Sequence, residues 1–322
     1  MSFRRLKEAM LQNTGTRQTV LKNTAWLFIG QGTSRALRAA IVIYAARILG
    51  AASWGAFSYA LGVATFLTVF SDIGINALLT REASRNPELK NRYLSTSFFI
   101  KLALLVILGT ATLLSLPSLT KIAEARTLLP LLLLLFAFDS LRDLGSALCR
   151  ALERMEIEAS IQIATNATIV VLGFFLLALA PTSNSLAIAY AAGSALGLIS
   201  ITITLRHHIK NLFGHFTFTL VKPILQTAWP FGLLSIMGVI NLNTDIIMLG
   251  WMRSAEEVGY YAAAQKLIQI LYVLPTLLAV SLFPAMARIA KENPQEVRRL
   301  LERAVGIVIL FAIPIAAVGV FF

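Results

Sequence analysis

One stretch decides the class of this chain: residues 159–205 read ASIQIATNATIVVLGFFLLALAPTSNSLAIAYAAGSALGLISITITL, without one charged side chain. A helix of about 20 apolar residues crosses the hydrocarbon core of a bilayer, so this run is too long for a single crossing. The turn-forming residues 181–185, PTSNS, divide it. We therefore predict two membrane-spanning helices here, residues 160–180 and 185–205.

The rest of the chain continues this pattern of long apolar runs and short connections. Its 322 residues are 57% hydrophobic and only 14% charged, and the mean hydropathy is +0.75, which is too apolar for a soluble domain of this length. We predict an all-α polytopic membrane protein with about nine spans. The seven further predicted spans are residues 24–48, 54–79, 97–116, 128–148, 224–250, 258–283 and 304–322.

Lysine and arginine crowd into every second connection, which predicts the orientation. Five of them lie in residues 1–22, and others follow the second, fourth, sixth and eighth spans. Short loops rich in Lys and Arg stay in the cytoplasm, so we predict a multi-pass protein of the plasma (inner) membrane with a cytoplasmic N-terminus. Residues 1–22 would be a cytoplasmic segment, either a short helix on the inner leaflet, with Phe3, Leu6 and Met10 on one face, or a disordered tail. This layout explains the net charge of +12, so the charge does not require a nucleic-acid partner.

Two pairs of similar motifs indicate an internal repeat. RxAxxNP occurs at residues 81–87 and 288–294, and LG at 49–50 followed by WGAFSYA at 54–60 resembles LG at 249–250 followed by VGYYAA at 258–263. Six helices per copy, an even number, give both copies the same orientation. We predict a six-helix N-terminal lobe, residues 1–222, and a partial C-terminal lobe of three spans, residues 223–322. Because a second full copy needs three more helices, we expect a C-terminally truncated chain.

Several ionisable residues fall inside predicted spans, where each costs a few kcal/mol. In the first span, Gln31, Arg35 and Arg38 share one helical face near the middle of the bilayer. Arginine stays protonated and its planar fork binds phosphate at two points, so this face is a candidate anion site. The structural alternative is that the two arginines pair with Asp72 and Asp139 to lock the bundle.

Three aspartates are candidates for ion coupling or for structural ion pairs: Asp72, Asp139 and Asp245. Asp139 can also pair with Arg142 at i+3 in the same helix. In the second half, Lys266 of the eighth span either pairs with Asp245 or contacts a ligand. The sequence predicts no metal site and no cofactor, with H+ or Na+ as candidate coupling ions.

Two missing motif classes indicate what the chain does not do. It has no G-x-x-x-x-G-K-[ST] loop, so we expect no ATP hydrolysis by the chain itself. Its predicted outer loops lack the paired carboxylates or D-x-D that a membrane glycosyltransferase uses. We therefore predict no catalytic residues and no enzyme activity.

The motifs together resemble those of a known family. NTAW at residues 23–26, ARILG at 46–50, WGxFSYA at 54–60, DxG at 72–74 and RE at 81–82 resemble the start of polysaccharide or O-antigen flippases of the multidrug/oligosaccharidyl-lipid/polysaccharide exporter superfamily. RALERM at 150–155 is similar to that family's fourth-to-fifth elbow. DxxMLG at 245–250, VGYY at 258–261 and QK at 265–266 are similar to its seventh and eighth helices.

The resemblance implies two lobes around a central cavity, with alternating access. The implied substrate is a polyprenyl-diphosphate-linked oligosaccharide, flipped from the cytoplasmic to the outer leaflet for O-antigen, exopolysaccharide or capsule biosynthesis. Arg35, Arg38 and Lys266, with Gln31, would line the cavity and bind the diphosphate. Membrane lipids, glycosyltransferases and a polysaccharide polymerase are the other implied partners. The alternatives are a drug or cation antiporter of the same superfamily and a non-transporting scaffold for glycosyltransferases.

Overall fold

The computed structural model describes residues 16–210, 212–271 and 294–321, and they are helical almost throughout, with no β-strand among them. Two 3-10 turns, Phe213–His215 and Phe218–Leu220, precede the eighth helix. The helices within these ranges are α1 (Thr16–Asp72), α2 (Ile75–Arg85), α3 (Lys90–Leu119), α4 (Ala123–Ala151), α5 (Met155–Leu179), α6 (Ser183–Thr204), α7 (Arg206–Ile209), α8 (Val221–Met252), α9 (Ala255–Leu271) and α10 (Pro294–Phe321).

The predicted polytopic membrane fold is confirmed. Within the described ranges, five helical segments are long and apolar enough to cross a membrane: Leu21–Arg85, Lys90–Ser118, Met155–Leu179, Ser183–Thr204 and Phe218–Met252. The charge-free run that opened the sequence analysis forms α5 and α6, and Thr182 caps α6 by accepting from the backbone N–H of Ser185 at 3.2 Å. The fourth predicted span lies in α4, and residues 304–321 of the ninth lie in α10. Residues 272–283 of the eighth predicted span lie outside the described ranges.

Helix α1 contains the first predicted span and most of the second, which meet at Gly50. The φ of Gly50 is 71° and its ψ is 171°, a backbone conformation that glycine adopts without steric cost. The second span ends earlier than residue 79, the predicted end. The chain breaks at Ile73 and Gly74, whose φ values are 43° and 80°. A side chain on Gly74 would overlap the backbone of α8 at Ala228 and Gly232, so the break lies where α8 packs closest.

The chain packs as two units, Met1–Ala264 and Gln265–Phe322. In the first unit, α1 packs along α5, α4 and α8, while α6 packs on α4 and α5. The second unit contains the end of α9 and all of α10. The lobes predicted from the repeat, residues 1–222 and 223–322, stay a prediction, and residues 1–15 lie outside the described ranges.

Two apolar clusters hold the first unit together. One centres on Ile41, Phe57, Leu132 and Tyr190, and it joins both parts of α1 to α4 and α6. The other joins α2 to α4, α6 and α8 through residues that include Leu79, Leu148 and Ile224. Burial of this apolar surface within the bundle leaves the remaining large apolar side chains facing outward, as lipid requires.

A reciprocal crossing joins α1 to the start of α9. A methyl group on Gly55 would overlap the carbonyl oxygen of Ala255, and one on Gly259 would overlap the carbonyl oxygen of Ala51. Ala255 follows Ala51 in the sequence by the same number of residues as Gly259 follows Gly55. Ala255 and Gly259 are thus the counterparts of Ala51 and Gly55, and each contact joins one residue to the counterpart of the other. The same offset separates the WGAFSYA and VGYYAA motifs. The second RxAxxNP motif lies outside the described ranges except for Pro294, at which α10 begins.

Candidate functional site

Arg38 extends from α1 toward α5, where a buried amide holds it. Its Nε donates to Oδ1 of Asn166 at 2.6 Å, and the Asn166 amide nitrogen donates to the carbonyl of Gln162 at 2.7 Å. The second hydrogen bond fixes which atom of the amide faces the guanidinium. Asn166 is 2% exposed, whereas Arg38 is exposed. The guanidinium of Arg38 is thus accessible, and a buried side chain anchors it at one nitrogen.

Helices α4 and α6 complete the surroundings of Arg38. Its charge acts on Asp139 of α4 and on the buried hydroxyl of Tyr190 of α6. Close by in α5, Oγ1 of Thr165 is buried and makes no hydrogen bond to the described part of the chain. Buried polar groups of this kind bind water in polar cavities. The four helices therefore enclose a polar interior within a predominantly apolar bundle.

Asp139 forms the ion pair that its spacing predicted. Its Oδ1 lies 2.6 Å from Nη1 of Arg142, three residues further along α4. Arg142 also contacts Asp143 at 3.0 Å. Arg38 acts on Asp139 without being its ion-pair partner, so the predicted Arg38–Asp139 lock is not the arrangement present.

Asp72 pairs with a lysine that the sequence analysis missed. Nζ of Lys101 lies 2.8 Å from Oδ1 of Asp72 and donates to Oδ1 of Asn76 at 3.0 Å. Lys101 is 0% exposed. The predicted alternative that paired Asp72 with Arg35 or Arg38 is therefore wrong, because Lys101 of α3 occupies this carboxylate. The available signal was that Lys101 is the only charged residue in the predicted span 97–116.

Gln31 and Arg35 lie on the same side of α1 as Arg38, toward its cytoplasmic end by the predicted orientation, and both are exposed. Within the described ranges, no carboxylate lies within ion-pair distance of Arg35. The predicted grouping of these three residues on one helical face thus occurs, with Arg38 closest to the polar interior. Their role in binding substrate stays a prediction.

Asp245 and Lys266, the predicted site residues of the second half, lie in different units of the chain. Asp245 accepts a hydrogen bond from the hydroxyl of Tyr261, and its Oδ1 accepts from its neighbour, the backbone N–H of Ile246, at 2.9 Å. Lys266 lies in the second unit. The predicted pairing of Lys266 with Asp245 or with a ligand stays a prediction.

Together, the helices define a class of protein, the polytopic all-α membrane proteins. A crystal structure of MATE in complex with MaL6 is similar, with a TM-score of 0.54 at 16% identity over 94% of this chain and 78% of the other. MATE in the straight conformation aligns with a TM-score of 0.50 at 16% identity, over 96% of this chain and 73% of the other. Such low identities show a shared fold alone.

The chain belongs to the polysaccharide biosynthesis protein family, whose profile matches residues 20–290. This match confirms the family that the sequence motifs resembled. A search of curated protein sequences finds no significant match.

Proposed function

We propose that this protein flips a lipid-diphosphate-linked oligosaccharide from the cytoplasmic to the outer leaflet of the plasma membrane by alternating access. Membership of the polysaccharide biosynthesis family supports the pathway, and a fold shared with transporters supports movement of a substrate across the bilayer. The observation that carries the proposal is the accessible guanidinium of Arg38, located in the middle of a predicted span and oriented by buried Asn166.

The free energy of moving the substrate head group explains why this function needs a polar hollow in the bundle. Each sugar hydroxyl moved from water into a hydrocarbon-like medium costs about 4–8 kcal/mol when unpaired, and a charged diphosphate costs far more. A polar, cationic hollow removes most of this cost, because the head group keeps water and hydrogen-bond partners during the crossing. The polyprenyl tail stays in the bilayer throughout.

The two arginines suit a diphosphate. Asn166 occupies only Nε of Arg38, so the terminal nitrogens keep their donors for two-point contact with phosphate oxygens. Arg35 lies three residues earlier on the helix, about 4.5 Å along its axis, which brings a second guanidinium to the adjacent phosphate. Gln31, one turn further, donates to sugar or phosphate oxygens.

Energy for net transport comes from outside the chain in this proposal. An H+ or Na+ gradient would act through the intramembrane carboxylates Asp72, Asp139 and Asp245, two of which are held in ion pairs. Glycosyltransferases on the cytoplasmic side supply the substrate, and a polymerase on the outer side consumes it. Such consumption alone also drives net flipping by mass action.

Family membership favours this function over the alternatives. A drug or cation antiporter would share the fold, but the likeness to MATE structures extends to the fold alone. A non-transporting scaffold would need no polar interior, because an accessible arginine and buried hydroxyls inside an apolar bundle only reduce its stability.

The decisive test replaces both arginines, Arg35→Gln and Arg38→Gln, and measures surface polysaccharide in cells and transfer of labelled lipid-linked oligosaccharide in vesicles. Because each hydrogen bond to a charged group contributes about 1.5–3 kcal/mol, we expect at least a tenfold loss of transfer at unchanged protein amount. Arg47→Gln is the matched control, since Arg47 is an exposed arginine of the same helix near Gly50.

Unchanged transfer in the double variant would contradict the anion site. Transport of cationic dyes in place of the oligosaccharide would favour the antiporter. An absence of any translocation by the unmodified protein, with polysaccharide synthesis still dependent on its presence, would favour the scaffold.

A further inference from the structure

Residues 205–222, here called the linker, expose aromatic side chains between the sixth and seventh predicted spans. Phe213 is 82% exposed and Phe218 is 80% exposed, and Phe216 between them is also exposed. Single exposed apolar residues are ordinary on protein surfaces, but three phenylalanines within six residues form a patch. The patch needs an apolar environment outside the folded chain.

The linker is held in place by the start of α3. Oγ of Ser95 donates to the carbonyl of Leu212, and the backbone N–H of Thr217 donates to Oγ1 of Thr96 at 3.2 Å. The ring of Phe99 lies 5.3 Å from that of Phe213. These contacts fix the exposed rings beside the point at which α3 enters its predicted span.

The linker is also basic and lacks acidic residues. It contains Arg206, Lys210 and Lys222 together with three histidines, and no Asp or Glu occurs anywhere in residues 159–244. Burial, followed by the nearby charges of Lys90 and His207, lowers the pKa of His208 below its usual value. The shift favours the neutral form of the His208 imidazole, so the docking charge is assigned to Arg206, Lys210 and Lys222.

We propose that the linker docks on anionic phospholipids of the cytoplasmic leaflet. Phe213 and Phe218 enter the boundary between head groups and acyl chains, while Arg206, Lys210 and Lys222 bind the phosphates of the head groups. The helices at both ends of the linker, α6 and α8, are candidate membrane spans. The linker must therefore run within reach of the head groups, which favours lipid over a soluble protein as its occupant.

The proposal rests on the predicted orientation and is independent of the transported substrate. The linker joins the first six predicted spans to the seventh. Docking would therefore hold the connection between the two predicted lobes at the membrane surface, in anionic membranes more firmly than in neutral ones.

A fluorescent label at Phe218→Cys tests this docking in the full chain. Cys149, the only native cysteine, is buried and stays unlabelled. The labelled protein is reconstituted in phosphatidylcholine vesicles that contain a small fraction of brominated phosphatidylglycerol or, in a parallel sample, brominated phosphatidylcholine. We expect both lipids to quench the label and the anionic one to quench it more. Each lysine contributes about fivefold to local enrichment, equivalent to about 1 kcal/mol.

Two double variants separate local from overall charge. Lys210→Gln with Lys222→Gln should remove most of the anionic preference, whereas Lys121→Gln with Arg253→Gln removes two charges from other connections and should leave it. Aqueous iodide quenching in place of lipid quenching would overturn the proposal. Equal quenching by both lipids would overturn the anionic assignment. Shielding from iodide and both lipids would indicate a protein partner or a second copy and would also overturn it.

Discussion

At the scale of single residues, the ion pair between Lys101 and Asp72 has a large energetic consequence. A lysine that is 0% exposed inside a predicted span has lost its hydration. Among the described residues, the carboxylate of Asp72 and the amide oxygen of Asn76 replace the lost water. Removal of one partner leaves a buried charge without compensation, whereas removal of both charges does not. The pair also ties α3 to the end of α1, directly before the break at Ile73.

We expect Lys101→Met to destabilise the protein by about 3–5 kcal/mol, because Asp72 then stays charged without a partner. Adding Asp72→Asn to the same chain should restore most of the loss. The measurement is the temperature at which half of the detergent-solubilised protein remains monodisperse. Lys121→Met, at an exposed lysine in a connection, is the control and should change nothing. Equal stability of the single and double variants would show that the loss of the ion pair is not what destabilises Lys101→Met.

The sequence could predict part of this chemistry, and the limit is physical. The pair of Asp139 and Arg142 follows from spacing within one helix, and the common face of Arg35 and Arg38 does so too. The partner of Asp72 does not follow, because Lys101 is on another helix and only the packing of α1 against α3 brings the two charges together. Asn166 was missed for the same reason, since an uncharged amide in an apolar run gives little signal.

At the scale of helices, the apolar runs predicted where helices form and one of the two breaks along the first two spans. The break at Gly50 falls between the two predicted spans. The break at Ile73 and Gly74 falls inside the second one, because it depends on the close approach of α8 at Gly232. A local pattern does not contain that contact.

The reciprocal crossing of α1 and α9 leads to a test in which two glycine substitutions should lower the stability of the protein and a third should raise it. Gly55→Ala and Gly259→Ala should each destabilise the protein by at least about 1–3 kcal/mol, because the added methyl group meets a backbone carbonyl that side-chain rotation cannot move. Gly109→Ala is the control. No atom lies within 4 Å of a methyl group at that position of α3, so the gain in helix propensity should stabilise it by up to about 1 kcal/mol. Thermal stability in detergent measures all three, and tolerance of alanine at Gly55 and Gly259 would contradict the crossing.

At the scale of the whole molecule, charge asymmetry predicts the orientation that the lipid-docking proposal uses. The connections that carry most Lys and Arg alternate regularly with those that carry few. The membrane potential and the insertion machinery act on these loops during synthesis, so their charge decides which side they occupy. The side to which each loop belongs is therefore open to direct measurement.

We expect an impermeant maleimide added to intact cells to label Lys121→Cys and not Ser84→Cys, because the connection at Ser84 is predicted to be cytoplasmic. Permeabilised cells should show labelling of both. The unmodified protein serves as the control: buried Cys149 should react only after denaturation. Labelling of Ser84→Cys from outside would reverse the orientation and with it the leaflet assigned to the linker.

The crossing of Gly55 and Gly259 has the symmetry of a contact between two identical subunits. An interface in which residue i touches j while the counterpart of j touches the counterpart of i is isologous, the kind that two identical subunits make across a two-fold axis. Here both sides of that interface belong to one polypeptide. The two glycines thus give one polypeptide a local contact with the symmetry of a homodimer interface, so a substitution at either glycine should disturb the same crossing.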